Sequence, residues 1–250
     1  MPVEVLRNLI YRHVSNQALR LDLYLPRQIA RPLPLIVSLH GGGWSGGHRS
    51  QSPAWMLARY RYAVATIEQR FVPAAIFPAQ LEDCAAAIDW LRSRAADYGV
   101  AAERFGAWGH SSGGHLASLL GTAGRVRAVC AVSAPADLVH VLRSPDSRLR
   151  RAVVTLLGGP AQATIERATS ASPSHQITSA SAPFLLIHGA KDRTVPMDQS
   201  YRFATALRES KVETHLRIFP NGRHGLWGLQ ADAIIKEFFD RHLQPPDGVS

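Results

Sequence analysis

The sequence predicts an α/β fold, a three-layer αβα sandwich built on a mostly parallel sheet of about eight strands. Short apolar runs alternate with helical patterns along most of the chain, which is the arrangement that successive βαβ units produce. Glycine-rich or polar turns follow several of these runs directly. The length of 250 residues suits one domain with a large core, so we expect a single domain over residues 1–250.

The first two predicted strands differ from the later ones, because apolar and polar residues alternate in them. We expect residues 3–14 and 19–25 to form a leading antiparallel pair. Continuous apolar runs then predict strands at residues 33–39, 62–68, 105–109, 126–133, 184–188 and 214–219. Pro78 suits the first turn of a helix, and the residues after it form an apolar stripe at helical spacing. The stripe consists of Leu81, Ala85, Ile88 and Leu91.

Residues 137–182 are the one long section without a clear alternation of strand and helix patterns. They lie between two predicted strands whose carboxyl ends face the same edge of the sheet. We expect a short, partly helical insertion that forms a small cap or a pocket wall. The polar residues 244–250 are expected to form a flexible tail.

Composition narrows the function classes. The formal net charge is +9, and all but three of the 28 basic residues are arginines. No basic run is longer than two residues and no nucleic-acid-binding motif occurs, so we expect a solvated surface and no nucleic-acid partner. Attraction of acidic substrates by the net positive charge stays open.

We find neither the apolar segment of a signal peptide nor a run long enough to span a membrane, so we expect a cytoplasmic protein without a membrane partner. Cys84 and Cys130 are expected to be buried free thiols.

The segment Gly109-His110-Ser111-Ser112-Gly113 carries the pattern of a nucleophile elbow. A strand pattern precedes it and a helix pattern follows it, which is the context that such an elbow needs. The sharp turn exposes the serine hydroxyl above the sheet and crowds its neighbours, so glycines on both sides fit. We therefore predict Ser111 as a nucleophile.

A glycine-rich loop strengthens this hypothesis. The apolar run 35–39 ends in His40-Gly41-Gly42-Gly43-Trp44. Acyl transfer needs backbone N–H groups aimed at the oxygen that becomes negative. In hydrolases with an elbow, one donor follows the nucleophile, here Ser112, and another comes from a loop after an earlier strand.

An acid and a histidine follow in the chain order that such an enzyme requires. Asp192 comes after the apolar run 184–188, and His224 comes after the run 214–219. We expect His224 to accept the proton of Ser111 and Asp192 to orient the imidazole. Asp137, which follows the strand after the elbow, is a rival acid.

Together these segments resemble α/β-hydrolase-fold esterases of the hormone-sensitive-lipase-like group, above all the BD-FAE-type (feruloyl and acetyl-xylan esterase-like) carboxylesterases. The resemblance runs from about residue 3 to about residue 243. It is carried by HGGGW at 40–44, FPAQLED at 77–83, WGHSSGGHLA at 108–117 and HGxxDxxVP at 188–196.

The resemblance implies an α/β-hydrolase fold and site roles for particular residues. It places the catalytic triad on Ser111, Asp192 and His224, and it favours Asp192 over Asp137 because the HGxxD block is intact. It places the oxyanion donors on Gly42, Gly43 and Ser112. His40 would brace the glycine-rich loop, and His188 would be structural. Ser112 and His110 depart slightly from the residues that relatives carry in the elbow.

We therefore expect a serine hydrolase that cleaves small-molecule carboxylic esters with short acyl chains through an acyl-enzyme. The helical cap of larger relatives is missing at the N-terminus, which predicts an open site. The expected substrate-binding residues are Trp44, His110, Leu226 and Trp227.

Alternative functions stay open at this point. They are an amidase of the kynurenine-formamidase-like type, an acetyl-xylan or feruloyl esterase, and a non-catalytic hydrolase-fold binding protein. No cofactor and no metal are expected, since the sequence has no H-E-x-x-H motif and no Cys/His cluster. The oligomeric state is open, and a homodimer is one of the states that the sequence allows.

Overall fold

The computed structural model describes residues 2–145, 147–225 and 229–244, and these residues form an eight-stranded sheet. The strands are β1 (Val3–Val14), β2 (Gln17–Pro26), β3 (Leu33–Leu39), β4 (Ala63–Ile67), β5 (Val100–His110), β6 (Ala128–Val132), β7 (Phe184–Gly189) and β8 (Thr214–Phe219). Their spatial order is β1-β2-β4-β3-β5-β6-β7-β8. β1 pairs with β2 and β2 with β4 in antiparallel fashion, and all later pairs are parallel. The predicted fold class and the leading antiparallel pair are confirmed.

The largest difference from the predicted strands lies at the start of β5. The strand begins at Val100, whereas the apolar run predicts a start at Phe105. Val100 pairs with Leu33, and the register then shifts before Phe105 pairs with Leu35. The intervening residues include Glu103 and Arg104, so this part of the strand lacks the continuous apolar run that marks a buried strand.

Both faces of the central strands are covered, which explains their continuous apolar sequences. In β3, Leu35, Val37 and Leu39 belong to one core cluster, whereas Ile36 belongs to the other. The helices are α1 (Ala79–Ser93), α2 (Ala95–Tyr98), α3 (Ser112–Thr122), α4 (Leu138–Arg143), α5 (Arg148–Leu156), α6 (Ile165–Ser170), α7 (Asp198–Glu209) and α8 (Leu229–Leu243). Buried residues of α1, α3 and α7 contribute to the first cluster, and those of α8 to the second. Short 3₁₀ segments lie at Arg49–Gln51, Pro53–Tyr60 and Pro173–His175.

The section between β6 and β7 contains three short helices, α4, α5 and α6, each capped by a polar side chain. Asp137, Ser147 and Thr164 accept hydrogen bonds from backbone N–H groups three residues further on, at 2.9, 3.1 and 3.2 Å. Buried residues such as Leu149 and Val153 join the section to the first core cluster. Of the expected tail, residues 245–250 lie outside the described residues.

Among the described residues, no helix combines the length and the apolar character needed to cross a membrane.

Candidate active site

Ser111 occupies the sharp turn between β5, which ends at His110, and α3, which begins at Ser112. Its backbone has φ 55° and ψ −123°, a conformation that side-chain-bearing residues rarely adopt. Hydrogen bonds hold the turn, because the Ser111 N–H donates to the Val132 carbonyl at 2.8 Å and the His115 N–H donates to the Ser111 carbonyl at 3.0 Å. Backbone strain that is fixed in this way is common at functional sites.

The glycines beside Ser111 are required by close backbone contacts. A Cβ atom on Gly109 would lie 2.2 Å from the Gly113 carbonyl oxygen. A Cβ atom on Gly113 would lie 2.1 Å from the Leu39 carbonyl oxygen, at the end of β3. The two glycines therefore let α3 start directly against β3 and β5, which places Ser111 beside the loop that follows β3.

His224 and Asp192 reach Ser111 from the loops after β8 and β7. His224 Nε2 lies 3.1 Å from Ser111 Oγ, and His224 Nδ1 lies 2.8 Å from Asp192 Oδ2. Both distances suit hydrogen bonds. The arrangement lets one imidazole accept the serine proton while its other nitrogen is held by a carboxylate.

Asp192 is held in its ionised form. Burial alone would raise the pKa of its carboxyl, but hydrogen bonds from His188, His224 and two backbone N–H groups outweigh that effect and hold the pKa well below its usual range. The N–H groups of Thr194 and Val195 donate to Oδ1 at 2.8 and 3.0 Å. Since its side chain is inaccessible to solvent, Asp192 cannot turn away from His224 without losing these bonds.

His188 lies against the Asp192 carboxylate and helps to hold it in place. Its Nε2 lies 3.0 Å from the Val195 carbonyl and 3.3 Å from Asp192 Oδ2, and its Nδ1 lies 2.7 Å from Ser200 Oγ. The residue is fully buried and lies away from Ser111 among these bonds, which fits the structural position that the resemblance implies.

The rival acid Asp137 lies elsewhere. Its carboxylate caps α4 through the His140 N–H at 2.9 Å, and it lies 3.4 Å from His175 Nε2. The backbone N–H groups of Ala136 and Asp137 in turn bind the Gln199 side chain. The contacts of Asp137 are therefore those of a helix cap.

Two glycines of the loop after β3 have left-handed backbones, with φ 130° at Gly42 and 61° at Gly43. A Cβ atom on Gly42 would lie 2.1 Å from the Gly46 carbonyl oxygen, so the loop folds back closely on itself. Among the backbone hydrogen bonds of the described residues, none is donated by Gly42, Gly43 or Ser112. Ser112 is the first residue of α3, where helical N–H groups have no partner within the helix.

Trp44 borders the cavity at Ser111, and most of its side chain is packed behind the glycine-rich loop. It is only 1% exposed, and its indole N–H donates to His115 Nδ1 at 3.2 Å. His115 Nε2 lies 2.7 Å from the Ala171 carbonyl. Trp44 thus anchors the glycine-rich loop to α3, because its ring also packs edge-on against the ring of His115.

The sequence analysis did not assign His115 a role, although the residue belongs to the elbow motif. The histidine is fully buried and joins the loop after β3, helix α3 and the insertion through two hydrogen bonds. Burial lowers its pKa to about 4. Its place one helical turn after Ser111 was the signal available in the sequence.

His110 lies at the site, as expected. It is half-buried, and its ring centroid lies 4.7 Å from that of His224. Burial and the nearby His224 lower its pKa to about 4, so the ring is neutral near neutral pH. The other two expected substrate-binding residues, Leu226 and Trp227, lie outside the described residues.

Ser111 and His224 border a cavity of about 580 Å³. The glycine-rich loop borders one side, and Leu149 and Ala152 of α5 border another. The insertion therefore contributes to the wall of this cavity. Arg148, which the sequence analysis did not single out, borders it as well.

A protein-family model covers most of this chain. The BD-FAE family model matches residues 21–207 of the chain, a range that begins within β2 and ends within α7. The range includes Ser111 and Asp192 but ends before His224. The chain belongs to the BD-FAE family.

Several curated relatives of this BD-FAE protein are esterases by name. Esterase LipC of Mycobacterium tuberculosis is 28% identical over 241 residues, covering 84% of this chain and 58% of the relative. Probable isoprenylcysteine alpha-carbonyl methylesterase ICMEL1 of Arabidopsis thaliana is 24% identical, with 88% and 51% covered. The chain thus spans little more than half the length of these relatives.

Solved structures match over nearly the whole BD-FAE chain. A truncated carbohydrate esterase from gut microbiota superposes with a TM-score of 0.87 at 25% identity, and 95% of each chain is covered. The thermophilic esterase Est2 of the planctomycete Thermogutta terrifontis has a TM-score of 0.80 at 23% identity, covering 99% of this chain and 95% of Est2. The α/β-hydrolase fold follows from these matches together with the sheet order.

Proposed function

We propose that this protein is a serine carboxylesterase that cleaves small esters with short acyl chains through an acyl-enzyme on Ser111. The observation that carries the proposal is the chain of contacts from Ser111 Oγ through His224 to Asp192, at 3.1 and 2.8 Å. Membership of the BD-FAE family and the esterase names of its relatives support the same reaction.

In the first half of the reaction, His224 Nε2 accepts the Ser111 proton as Oγ attacks the ester carbonyl. The ionised Asp192 stabilises the imidazolium that forms. The negative oxygen of the tetrahedral intermediate is bound by N–H groups of Gly42 or Gly43 and of Ser112. When the intermediate collapses, His224 returns the proton to the leaving alcohol, and the acyl group stays on Ser111.

In the second half, water replaces the alcohol. His224 accepts a proton from the water as its oxygen attacks the acyl-enzyme carbonyl, and the same N–H groups bind the second oxyanion. His224 then protonates Ser111 Oγ, which releases the carboxylic acid and restores the free enzyme. The proposal needs no metal or cofactor for any of these steps.

The walls of the cavity favour a short acyl chain. The residues that border the cavity include apolar ones such as Leu149, Ala152 and Val195 and polar ones such as Ser45, Gln51 and Thr194. Each methylene that enters an apolar environment gains about 0.8 kcal/mol, so a long apolar channel would raise kcat/KM steadily with chain length. With this mixed wall we expect acetyl to butyryl esters to be the best substrates.

An acetyl ester on a carbohydrate is a second candidate substrate. It is favoured by the structural match to a carbohydrate esterase and by a 27% identical acetyl ester-xyloside bifunctional hydrolase from Caldicellulosiruptor lactoaceticus, which covers 91% of this chain. The open, partly polar cavity offers hydrogen-bonding groups that a sugar would require.

The proposal is tested with 4-nitrophenyl esters from acetyl to decanoyl, measured beside acetylated xylo-oligosaccharide, methyl ferulate and N-formylkynurenine. We expect kcat/KM to peak between acetyl and butyryl and to decline by octanoyl. Ser111→Ala should lower turnover by about 10⁴–10⁶-fold, and a fluorophosphonate should label the wild type on Ser111. Faster hydrolysis of the formamide than of every ester would favour the amidase alternative. A folded wild-type protein that the fluorophosphonate leaves unlabelled would favour a non-catalytic binding protein.

A further inference from the structure

The active-site cavity contains one permanently charged side chain among the described residues that border it, and that side chain is Arg148. The other polar side chains that border the cavity are those of serine, threonine, glutamine, histidine and tryptophan residues, and all of these are uncharged or titratable groups. Asp192 lies behind His224 and is not exposed to the cavity. The described wall therefore presents a positive charge to a bound molecule and no carboxylate that would neutralise it.

Arg148 differs from the neighbouring arginines in its contacts. The first turn of α5 contains Arg148, Arg150 and Arg151. Arg150 donates from Nε to the Leu142 carbonyl at 3.0 Å, and both Arg150 and Arg151 border a separate cavity on the other side of the insertion. Within the described part of the chain, Arg148 makes no ion pair or hydrogen bond, and its side chain is exposed.

Among the described residues around Arg148, no contact requires a cation at this position. The amino end of a helix carries a partial positive charge, so a basic residue there is unfavourable. Nor does the Arg148 side chain anchor the helix, because Leu149, Val153 and Leu156 are the buried residues that fix α5 on the core. Arg148 and Ala152 lie one helical turn apart and both border the cavity, so α5 presents one face to it.

We propose that Arg148 makes this site select esters that carry a carboxylate or another negative group. The inference rests on the proposed esterase function and specifies its substrate class. A carboxylate that binds the guanidinium gains a charge-assisted hydrogen bond and favourable electrostatic energy. The net charge of +9 attracts the same substrates from solution.

Two matched ester pairs test this proposal. Phenyl butyrate and monophenyl succinate differ by a carboxylate on the acyl part, and phenyl acetate and 4-acetoxybenzoate differ by a carboxylate on the alcohol part. For each ester, kcat/KM of the wild type is divided by that of Arg148→Gln. The leaving-group chemistry of an ester cancels in this ratio, so only its interaction with residue 148 remains.

We expect the ratio for at least one charged ester to exceed that of its neutral partner by about tenfold, mainly through KM. The pair that responds shows whether the negative group belongs on the acyl or the alcohol part. Arg148→Lys should retain most of the preference because it keeps the charge. Arg208→Gln, which removes an exposed arginine of α7 that does not border the cavity, should leave all four esters unchanged.

Salt gives an independent measurement. Raising the ionic strength from about 0.05 to about 0.5 M should reduce the preference of the wild type for the charged ester and should have little effect on that of Arg148→Gln. Equal ratios for charged and neutral esters in both pairs would overturn the inference while the hydrolysis itself upheld the proposed function. Failure of the folded wild type to hydrolyse any of the four esters would overturn both.

Discussion

At the scale of single residues, the ionised state of Asp192 decides which nitrogen of His224 faces Ser111. The carboxylate binds His224 Nδ1 at 2.8 Å, which leaves Nε2 as the acceptor for the serine proton. Two backbone N–H groups and His188 hold the carboxylate in place. Substituting an amide for this carboxylate would keep the shape of the side chain but favour the other tautomer of the imidazole.

Asp192→Asn should therefore lower kcat by up to about 10⁴-fold, as in the serine protease precedent. Asp137→Asn is a matched control, because it makes the same change in an acid that caps α4. We expect Asp137→Asn to alter stability slightly and kcat by less than about threefold. Steady-state kinetics on a butyryl ester check both values. A larger loss of kcat in Asp137→Asn would show that the acid is assigned to the wrong residue.

The two imidazoles beside Ser111 should differ in their response to pH. His224 must be uncharged to accept the proton of Ser111. His110 has a pKa of about 4, so it stays neutral at pH 5 and above. We therefore expect any loss of kcat/KM for a neutral ester above pH 5 to follow the binding of one proton, and the profile to be the same in the wild type and in His110→Asn. A limb that requires two protons would contradict this assignment.

At the scale of secondary-structure elements, the elbow depends on how closely α3 approaches β3. A Cβ atom on Gly113 would lie 2.1 Å from the Leu39 carbonyl oxygen, so Gly113→Ala must push the helix away from the loop that begins at His40. Gly46→Ala is the control, since nothing lies within 4 Å of its Cβ position. A misplacement of about 1 Å can cost about 10²-fold in rate, and we expect at least that loss in kcat/KM for Gly113→Ala and little loss for Gly46→Ala. Equal activities, measured with circular dichroism as a check on folding, would refute the packing argument.

Much of the site could be predicted from the sequence because it lies at strand ends. Ser111, Asp192 and His224 each follow an apolar strand, and parallel strands bring their carboxyl ends to one edge of the sheet. The glycine-rich loop follows β3 by the same rule. Local periodicity was sufficient here, since chain order and strand position together determine which loops meet.

The roles of Trp44, His115 and Arg148 were beyond such reasoning. Trp44 borders the cavity, but the hydrogen bond from its indole N–H to the buried His115 joins two segments that are far apart in the sequence. His115 in turn requires the Ala171 carbonyl, which belongs to an insertion whose path no periodic pattern predicts. Arg148 borders the cavity only because α5 packs where it does. These contacts depend on tertiary structure.

At the scale of the whole molecule, His115 couples stability to pH. Its hydrogen bonds fit a neutral ring, since Nδ1 accepts from Trp44 and Nε2 donates to the Ala171 carbonyl. If Nδ1 were protonated, its N–H would point at the indole N–H of Trp44, and two donors would meet without an acceptor between them. Burial adds to the cost of the charge. The pKa of about 4 in the folded protein lies below the ordinary value of 6.5, so the unfolded chain binds more protons between these values.

The free energy of unfolding should therefore fall as pH decreases from about 6.5 to about 4, and His115 accounts for about 2–3 kcal/mol of that fall by pH 4.5. The lowered pKa of His110 acts in the same direction, and the lowered pKa of Asp192 adds to the effect only at lower pH.

In His115→Gln, an amide can accept a hydrogen bond from Trp44 and donate one to the Ala171 carbonyl without titrating. We expect this variant to be less stable than the wild type at pH 7 but to lose about 2–3 kcal/mol less between pH 7 and pH 4.5. His13→Gln replaces an exposed histidine and should follow the wild type. Urea unfolding at the two pH values measures these differences, and parallel losses in the wild type and His115→Gln would show that the buried imidazole is not the group responsible.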